Sequence, residues 1–286
     1  MFITNDVSLL TFVPFTFVVL SRLGADVRRS LLIPVVCMQT IAANLGSMLT
    51  PIGNPQNLYL YGKSGMSIGD FVLLMLPYTL VSLLLLLAWA ALVCRKTSAA
   101  LSVDELVSSS ASQGDQKIIL LYLVLFAVCL LSVIRVLPYG IAFAAVLVCA
   151  LFADPRTLRT VDYSLLLTFV AFFIFIGNLG RIPAFSGWLQ EFLTGREVLV
   201  AVLASQITSN VPAALLLSGF TAETQALIIG TNLGGLGTLI ASMASLISYR
   251  QIARELPQGK KQYFGLFTLS NLIFLAILLG VWFLLR

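Results

Sequence analysis

The stretch NLGSMLTPIGNPQNL, residues 44–58, decides how this chain is read. It lies inside Leu31–Gly62, where no side chain is charged. A run that apolar predicts helix buried in hydrocarbon. Yet its middle carries Asn44, Asn54 and Asn57, Pro51 and Pro55, Gly46 and Gly53, Ser47 and Thr50. In lipid an unpaired backbone N–H or C=O costs several kcal/mol, so irregular backbone survives there only inside protein or against a wet cavity. The stretch therefore predicts two half-helices meeting at a break that the protein itself must enclose.

The surrounding composition agrees. Of 286 residues 59% are hydrophobic and 10% charged, against about 25% charge in soluble domains, and mean hydropathy is +1.01. Phe71–Cys94, Ile118–Ile134 and Phe264–Leu285 carry no charge, and Val161–Leu179 holds only Asp162. These runs fit the roughly 17–25 residues of a spanning helix, while Pro138–Ala153 is shorter. The expected fold class is all-α, integral to the membrane, with the lipid bilayer as its solvent. The net charge of +5 comes from basic residues in short loops, a membrane-surface bias and not a nucleic-acid signal. Histidine is absent, and Cys37, Cys94, Cys129 and Cys149 form no C-x-x-C pair. They are expected as small buried hydrophobes, with no disulfide frame or zinc site. With no nucleophile–base pair and no nucleotide loop, an enzyme is not expected. MFITNDVSLL, at the start, has no signal-peptide layout.

Along the chain, Val7–Ser21 has the length of a half-helix or one arm of a hairpin, and RLGADVRRS follows as a basic loop. Residues 95–117, RKTSAALSVDELVSSSASQGDQK, are Ser-rich and charged, and predict a flexible linker between two halves, 1–94 and 118–286. GRIPAFSGWLQEFLTGRE places Phe185, Trp188, Leu189 and Phe192 at helical spacing, as in an interfacial helix. Val198–Ala222 is interrupted by QITSNVP and predicts a helical hairpin with its tip at Thr208–Pro212. Thr224–Tyr249 is interrupted by GTNLGGLGT, and a basic loop, 250–262, leads to the last span. If each span crosses once and each hairpin returns to its own side, 12 of the 17 basic residues fall on one side and 5 on the other. The basic-rich side is expected to be cytoplasmic. That places the linker and the 250–262 loop inside and the C-terminus outside.

NLGSMLTPIGNPQNL (44–58) aligns with NLGGLGTLIASMASL (232–246) through Asn44/Asn232, Leu45/Leu233, Gly46/Gly234, Thr50/Thr238, Ile52/Ile240 and Leu58/Leu246. A polar interruption precedes each, ITNDV at 3–7 and ITSNVP at 207–212. The order of tip, arm, broken helix and plain span thus occurs twice, in opposite orientations by the charge count. Inverted repeats with paired broken helices point to a secondary transporter with its site at the repeat interface. Half-helix N-termini offer N–H groups to an anion, and unwound carbonyls with Asn, Ser and Thr oxygens offer ligands to Na⁺. Asp6 is the only acid expected at membrane depth, which fits a proton or cation carrier or an N-cap.

With these four motifs, TND, NLGSMLTPIGNPQN, TSNVP and GTNLGG, the sequence resembles the citrate-transporter-like anion permeases, a group that includes the ArsB/NhaD permeases and is related to the divalent anion/sodium symporters. The resemblance implies that Thr4, Asn5 and Asp6 face the break carrying Asn44, Gly46, Ser47, Thr50, Gly53, Asn54 and Asn57. It likewise implies that Thr208, Ser209 and Asn210 face the break carrying Thr231, Asn232, Gly234, Gly235 and Thr238, with Na⁺ held at these positions as coupling ion and no other cofactor. Neither tip reads Ser-Asn-Thr as in the symporters, and TND is closer to the ArsB/NhaD side. The implied function is secondary transport of a small anion across the cell membrane, coupled to Na⁺ or H⁺, by a dimer. Na⁺/H⁺ antiport centred on Asp6 is the second reading, and a non-transporting membrane fragment or subunit the third. The first tip has almost nothing before it, whereas the second follows about 90 residues of its repeat, so Met1 is expected to be an internal methionine of a longer ancestor.

Overall fold

The computed structural model describes residues 4–22, 25–95, 116–153, 155–160, 163–179 and 181–286. Most of the predicted linker therefore lies outside the described residues. Among them every regular element is helical. The chain forms two compact units, one built on residues 4–95 and 172–286, the other on residues 116–171.

In the first unit, α1 (Asn5–Ser21) and α2 (Ala25–Ser47) pack against each other. A 3-10 turn, Pro51–Gly53, leads to α3 (Pro55–Ser64) and then to α4 (Ile68–Arg95). The second unit holds α5 (Gln116–Val133), α6 (Tyr139–Ala153), α7 (Pro155–Thr160) and the start of α8 (Tyr163–Leu179). There α5 packs on α6, and the Tyr163 hydroxyl donates to the Leu158 carbonyl at 2.8 Å, joining α8 to α7. The first unit continues with α9 (Pro183–Leu193), α10 (Glu197–Thr208), α11 (Asn210–Leu217), α12 (Thr224–Gly234), α13 (Met243–Glu255) and α14 (Lys260–Leu285). Among the described residues, 30–47, 68–95 and 257–285 are long and apolar enough to cross a bilayer. Large apolar side chains such as Leu73, Leu84, Phe143 and Leu284 stand on exposed helix faces, as a lipid solvent requires.

In the core of the first unit Leu9, Val13 and Phe17 of α1 meet Val36 and Cys37 of α2, with Tyr263 and Phe267 of α14. A buried hydroxyl cluster ties α2 to α13 and α14. Thr40 donates to the Val36 carbonyl at 2.7 Å and lies 2.8 Å from the Ser248 hydroxyl and 3.3 Å from that of Tyr263. Cys37 is buried as expected, whereas Cys94 and Cys129 stand on exposed faces. In α9, Leu189 and Leu193 are buried, while Trp188 and Phe192 stack on the exposed face with ring centroids 5.7 Å apart.

Helices α10 and α12 meet unusually closely. A Cβ added at Gly230 would lie 2.7 Å from the Ala201 Cβ and the Val198 oxygen, and one at Gly234 would lie 2.6 Å from the Ser205 hydroxyl. Small residues four apart on both helices, Gly230 and Gly234 against Ala201 and Ser205, let the backbones approach. Gly230→Ala is accordingly expected to destabilise the protein by about 1–3 kcal/mol. This would appear as a lower midpoint of thermal unfolding in detergent, and an unchanged midpoint would mean that the helices do not meet this closely.

Four boundaries differ from expectation. The first break unwinds only 48–54, with Asn44 and Ser47 still in α2 and Asn57 already in α3. The second unwinds 235–242 rather than Thr231–Thr238, because α12 runs on to Gly234. The hairpin tip is the single residue Ser209, at φ 74°, since Pro212 fits the first turn of α11 without costing it a hydrogen bond. The basic 250–262 loop shrinks to Leu256–Gly259. Residues 250–255 finish α13, with Ile252 buried and Arg250 and Arg254 on its outer side, so their charge does not end the helix.

Candidate functional site

Two Xaa-Pro steps make the first break. Thr50 before Pro51 and Asn54 before Pro55 are both extended, at φ −126° and −156°, because proline disfavours the helical region for the residue before it. The Asn54 side-chain oxygen then caps α3 by accepting the Asn57 N–H at 3.3 Å. The Asn57 amide donates back across the break to the carbonyls of Met48 and Thr50, both at 3.4 Å. Gly53 fits beneath the end of α2, where a Cβ would lie 1.9 Å from the Ser47 carbonyl oxygen. No proline makes the second break. It passes through Gly235 and Gly237, the latter at φ 107°, and α13 begins after an extended Ser242.

The two breaks are joined by buried side chains. Asn44 is one hub. Its oxygen accepts from Asn5 at 3.2 Å and from the Ser242 hydroxyl at 2.9 Å, and its amide donates to Ser245 at 3.4 Å. Asn232 is the other. Its amide donates to the Asn57 oxygen at 2.6 Å and to its own helix at Ile228, and its oxygen accepts from Asn54 at 3.3 Å. Ser47 links the hubs, donating to the Asn44 carbonyl at 2.8 Å and accepting from Asn54 at 3.1 Å.

The contacts are reciprocal. In the alignment of 44–58 with 232–246, Asn54 shares a column with Ser242, and Asn57 with Ser245. Asn44 holds Ser242 and Ser245, and its counterpart Asn232 holds Asn54 and Asn57. Each break thus grips the second half-helix of the other.

The remaining expected site residues distribute unevenly. Thr4 occupies the N-cap position of α1 without a side-chain cap bond, and Asn5 instead accepts the Asp6 N–H at 2.9 Å. Asp6 is half-buried, and its Oδ1 has no hydrogen-bond partner among the described residues. Ser209 donates to the Ala241 carbonyl at 3.4 Å, and the Asn210 N–H donates to the same oxygen at 2.9 Å, so the second tip touches the second break. Gly235 lies against the Asn210 side chain and Gly234 against Ser205. Gly46 is half-buried in the last turn of α2. Thr208 and Thr231 bond to their own helices, at Ala204 and Leu227, and Thr238 is exposed and bonds to Gln206. None of these three threonines enters the asparagine network.

Three participants, and one buried amide outside the network, were not anticipated. Ser242 and Ser245 could have been found from their alignment columns, opposite Asn54 and Asn57. Gln206 donates to the carbonyls of Gly234 at 2.9 Å and Leu236 at 2.8 Å, a contact with no sequence signal. Gln56 is 1% exposed, and neither end of its amide has a partner among the described residues.

Buried helix ends, neutral amides and hydroxyls, with one half-buried carboxylate beside them, thus come together where the two breaks meet. The citrate transporter family model matches residues 1–226, and the chain belongs to that family of membrane transporters. It is similar to the inner membrane protein YbiR of Escherichia coli, 34% identical over 257 residues, covering 87% of this chain and 65% of that protein. It is also similar to the uncharacterized transporter MJ0456 of Methanocaldococcus jannaschii, 32% identical over 248 residues, covering 87% and 66%. A third relative, the uncharacterized transporter Rv2685 of Mycobacterium tuberculosis, is 24% identical over 280 residues, covering 85% and 64%. The chain spans about two-thirds of the length of these curated relatives. Family and relatives agree with the expectation of a multi-pass membrane protein of a transporter family.

Proposed function

We propose that this chain carries the ion-binding centre of a secondary transporter that moves a small anion, with Na⁺ or H⁺, across the cell membrane by alternating access. The observation that carries the reading is the reciprocal grip of the two breaks, Asn44 on Ser242 and Ser245, Asn232 on Asn54 and Asn57. Paired broken helices meeting at a repeat interface are the usual architecture of such sites. Buried polar atoms normally find partners, so the unpaired Gln56 amide and Asp6 Oδ1 mark positions suited to a bound ion. In the proposed orientation the 95–117 linker faces the cytoplasm and the C-terminus lies outside, and the working unit is a dimer. Na⁺/H⁺ antiport is the second reading, favoured by the unpaired oxygen of Asp6.

Proteoliposomes loaded against Na⁺ or pH gradients test both. Uptake of labelled citrate or a small oxyanion above that of empty liposomes is expected, and Asn44→Ala and Asn210→Ala are each expected to lower it about tenfold or more. Wild-type uptake in both variants, at equal protein levels, would overturn the paired site. Gradient-driven Na⁺ and H⁺ exchange without anion uptake, abolished by Asp6→Asn, would establish antiport instead.

A further inference from the structure

The two breaks match in the alignment and grip each other reciprocally, yet they are held open by different means. The first is held from within. Pro51 and Pro55 fix its corners, and the Asn57 amide closes on the carbonyls of Met48 and Thr50. The second has Leu239 and Met243 in the proline columns and Ser245 in the column of Asn57. A serine hydroxyl is shorter than an asparagine amide, and this one lies against Asn44, from whose amide it accepts.

The missing clamp comes from another helix. Gln206 on α10 donates to the carbonyls of Gly234 and Leu236, and Leu236 occupies the column of Met48. The Gln206 oxygen accepts the Thr238 N–H at 2.9 Å. Gly237 passes directly beneath it at φ 107°, where a Cβ would lie 2.4 Å from that oxygen. The far end of the break is tied to the same hairpin through the N–H of Asn210 and the hydroxyl of Ser209 on the Ala241 carbonyl.

We infer that Gln206 is the positioning residue of the second break, replacing from the hairpin arm what the prolines and Asn57 supply within the first. Break two therefore keeps its shape only while α10 is seated, whereas break one carries its own corner-setting prolines and amide clamp. Resting on the transport reading above, this makes the second half the one that opens when the hairpin is displaced.

Hydrogen–deuterium exchange of the detergent-solubilised chain tests the clamp without any transport assay, so its failure leaves the transport reading standing. In Gln206→Leu, exchange across 235–242 is expected to accelerate about tenfold or more, while 48–54 stays within about twofold of wild type. Equal acceleration of both segments, or of neither, would overturn the inference. If Gln206→Leu fails to fold, the wild-type protein decides by fragment-resolved exchange. The Thr238 amide, whose acceptor is Gln206, should exchange about tenfold or more slowly than an unstructured amide. Exchange at the unstructured rate would rule the clamp out.

Discussion

Gly53→Ala is expected to leave almost no folded protein. The added Cβ would lie 1.9 Å from the Ser47 carbonyl oxygen, 2.7 Å from its carbon and 2.9 Å from its Cα. All three are backbone atoms at the end of α2, so no rotamer change relieves the contact. Overpacking usually costs about 1–3 kcal/mol. Here the backbone shift also disturbs Ser47, which joins the Asn44 and Asn54 contacts, so a cost above about 3 kcal/mol is expected. Size-exclusion profiles of the solubilised protein read this directly, as loss of the monodisperse peak. Gly62→Ala is the control. It sits in α3 with nothing within 4 Å of an added Cβ, and alanine is favoured over glycine in a helix by roughly 0.5–1 kcal/mol. Equal behaviour of the two variants would show that the first break does not approach Ser47 as described.

The second large effect is expected from the Asn232–Asn57 pair. Asn232→Ala leaves the Asn57 oxygen without its 2.6 Å donor in a fully buried position, while Asn54 keeps its bond to Ser47. An orphaned buried acceptor costs about 1–3 kcal/mol. Asn57→Ala leaves the Asn232 amide with only its bond to Ile228 and removes the hold on Met48 and Thr50. In the double variant neither partner is stranded. A double-mutant cycle on thermal or denaturant unfolding should therefore return a coupling of about 1–2 kcal/mol. Additivity within roughly 0.5 kcal/mol would mean that the breaks are neighbours without being energetically joined.

Much of this architecture was legible beforehand, for identifiable reasons. Charge-free runs marked α4 and α14, because a span has to be apolar along its whole length. The prolines marked the first break because their stereochemistry acts on the residue before them, whatever surrounds them. Where an end depended on a neighbouring helix, the reading was coarser. Arg250 and Arg254 looked like loop, yet α13 carries them on its outer side while Ile252 reaches the core. Thr231 looked like a ligand within the break, yet it lies in the intact end of α12 and bonds to Leu227.

Membrane residence, the two interrupted helices and the asparagines of the breaks all belong to the sequence itself. They rest on hydropathy, backbone stereochemistry and residue type, which act over a few neighbouring positions. The partners did not. That Asn44 meets Ser242 and Ser245, and Asn232 meets Asn54 and Asn57, was settled only by the packing of α2 and α3 against α12 and α13. That Gln206 on a separate helix closes the second break was settled the same way. Side-chain hydrogen bonds reach about 3 Å, so their pairing depends on where distant segments come to lie, which no local pattern encodes.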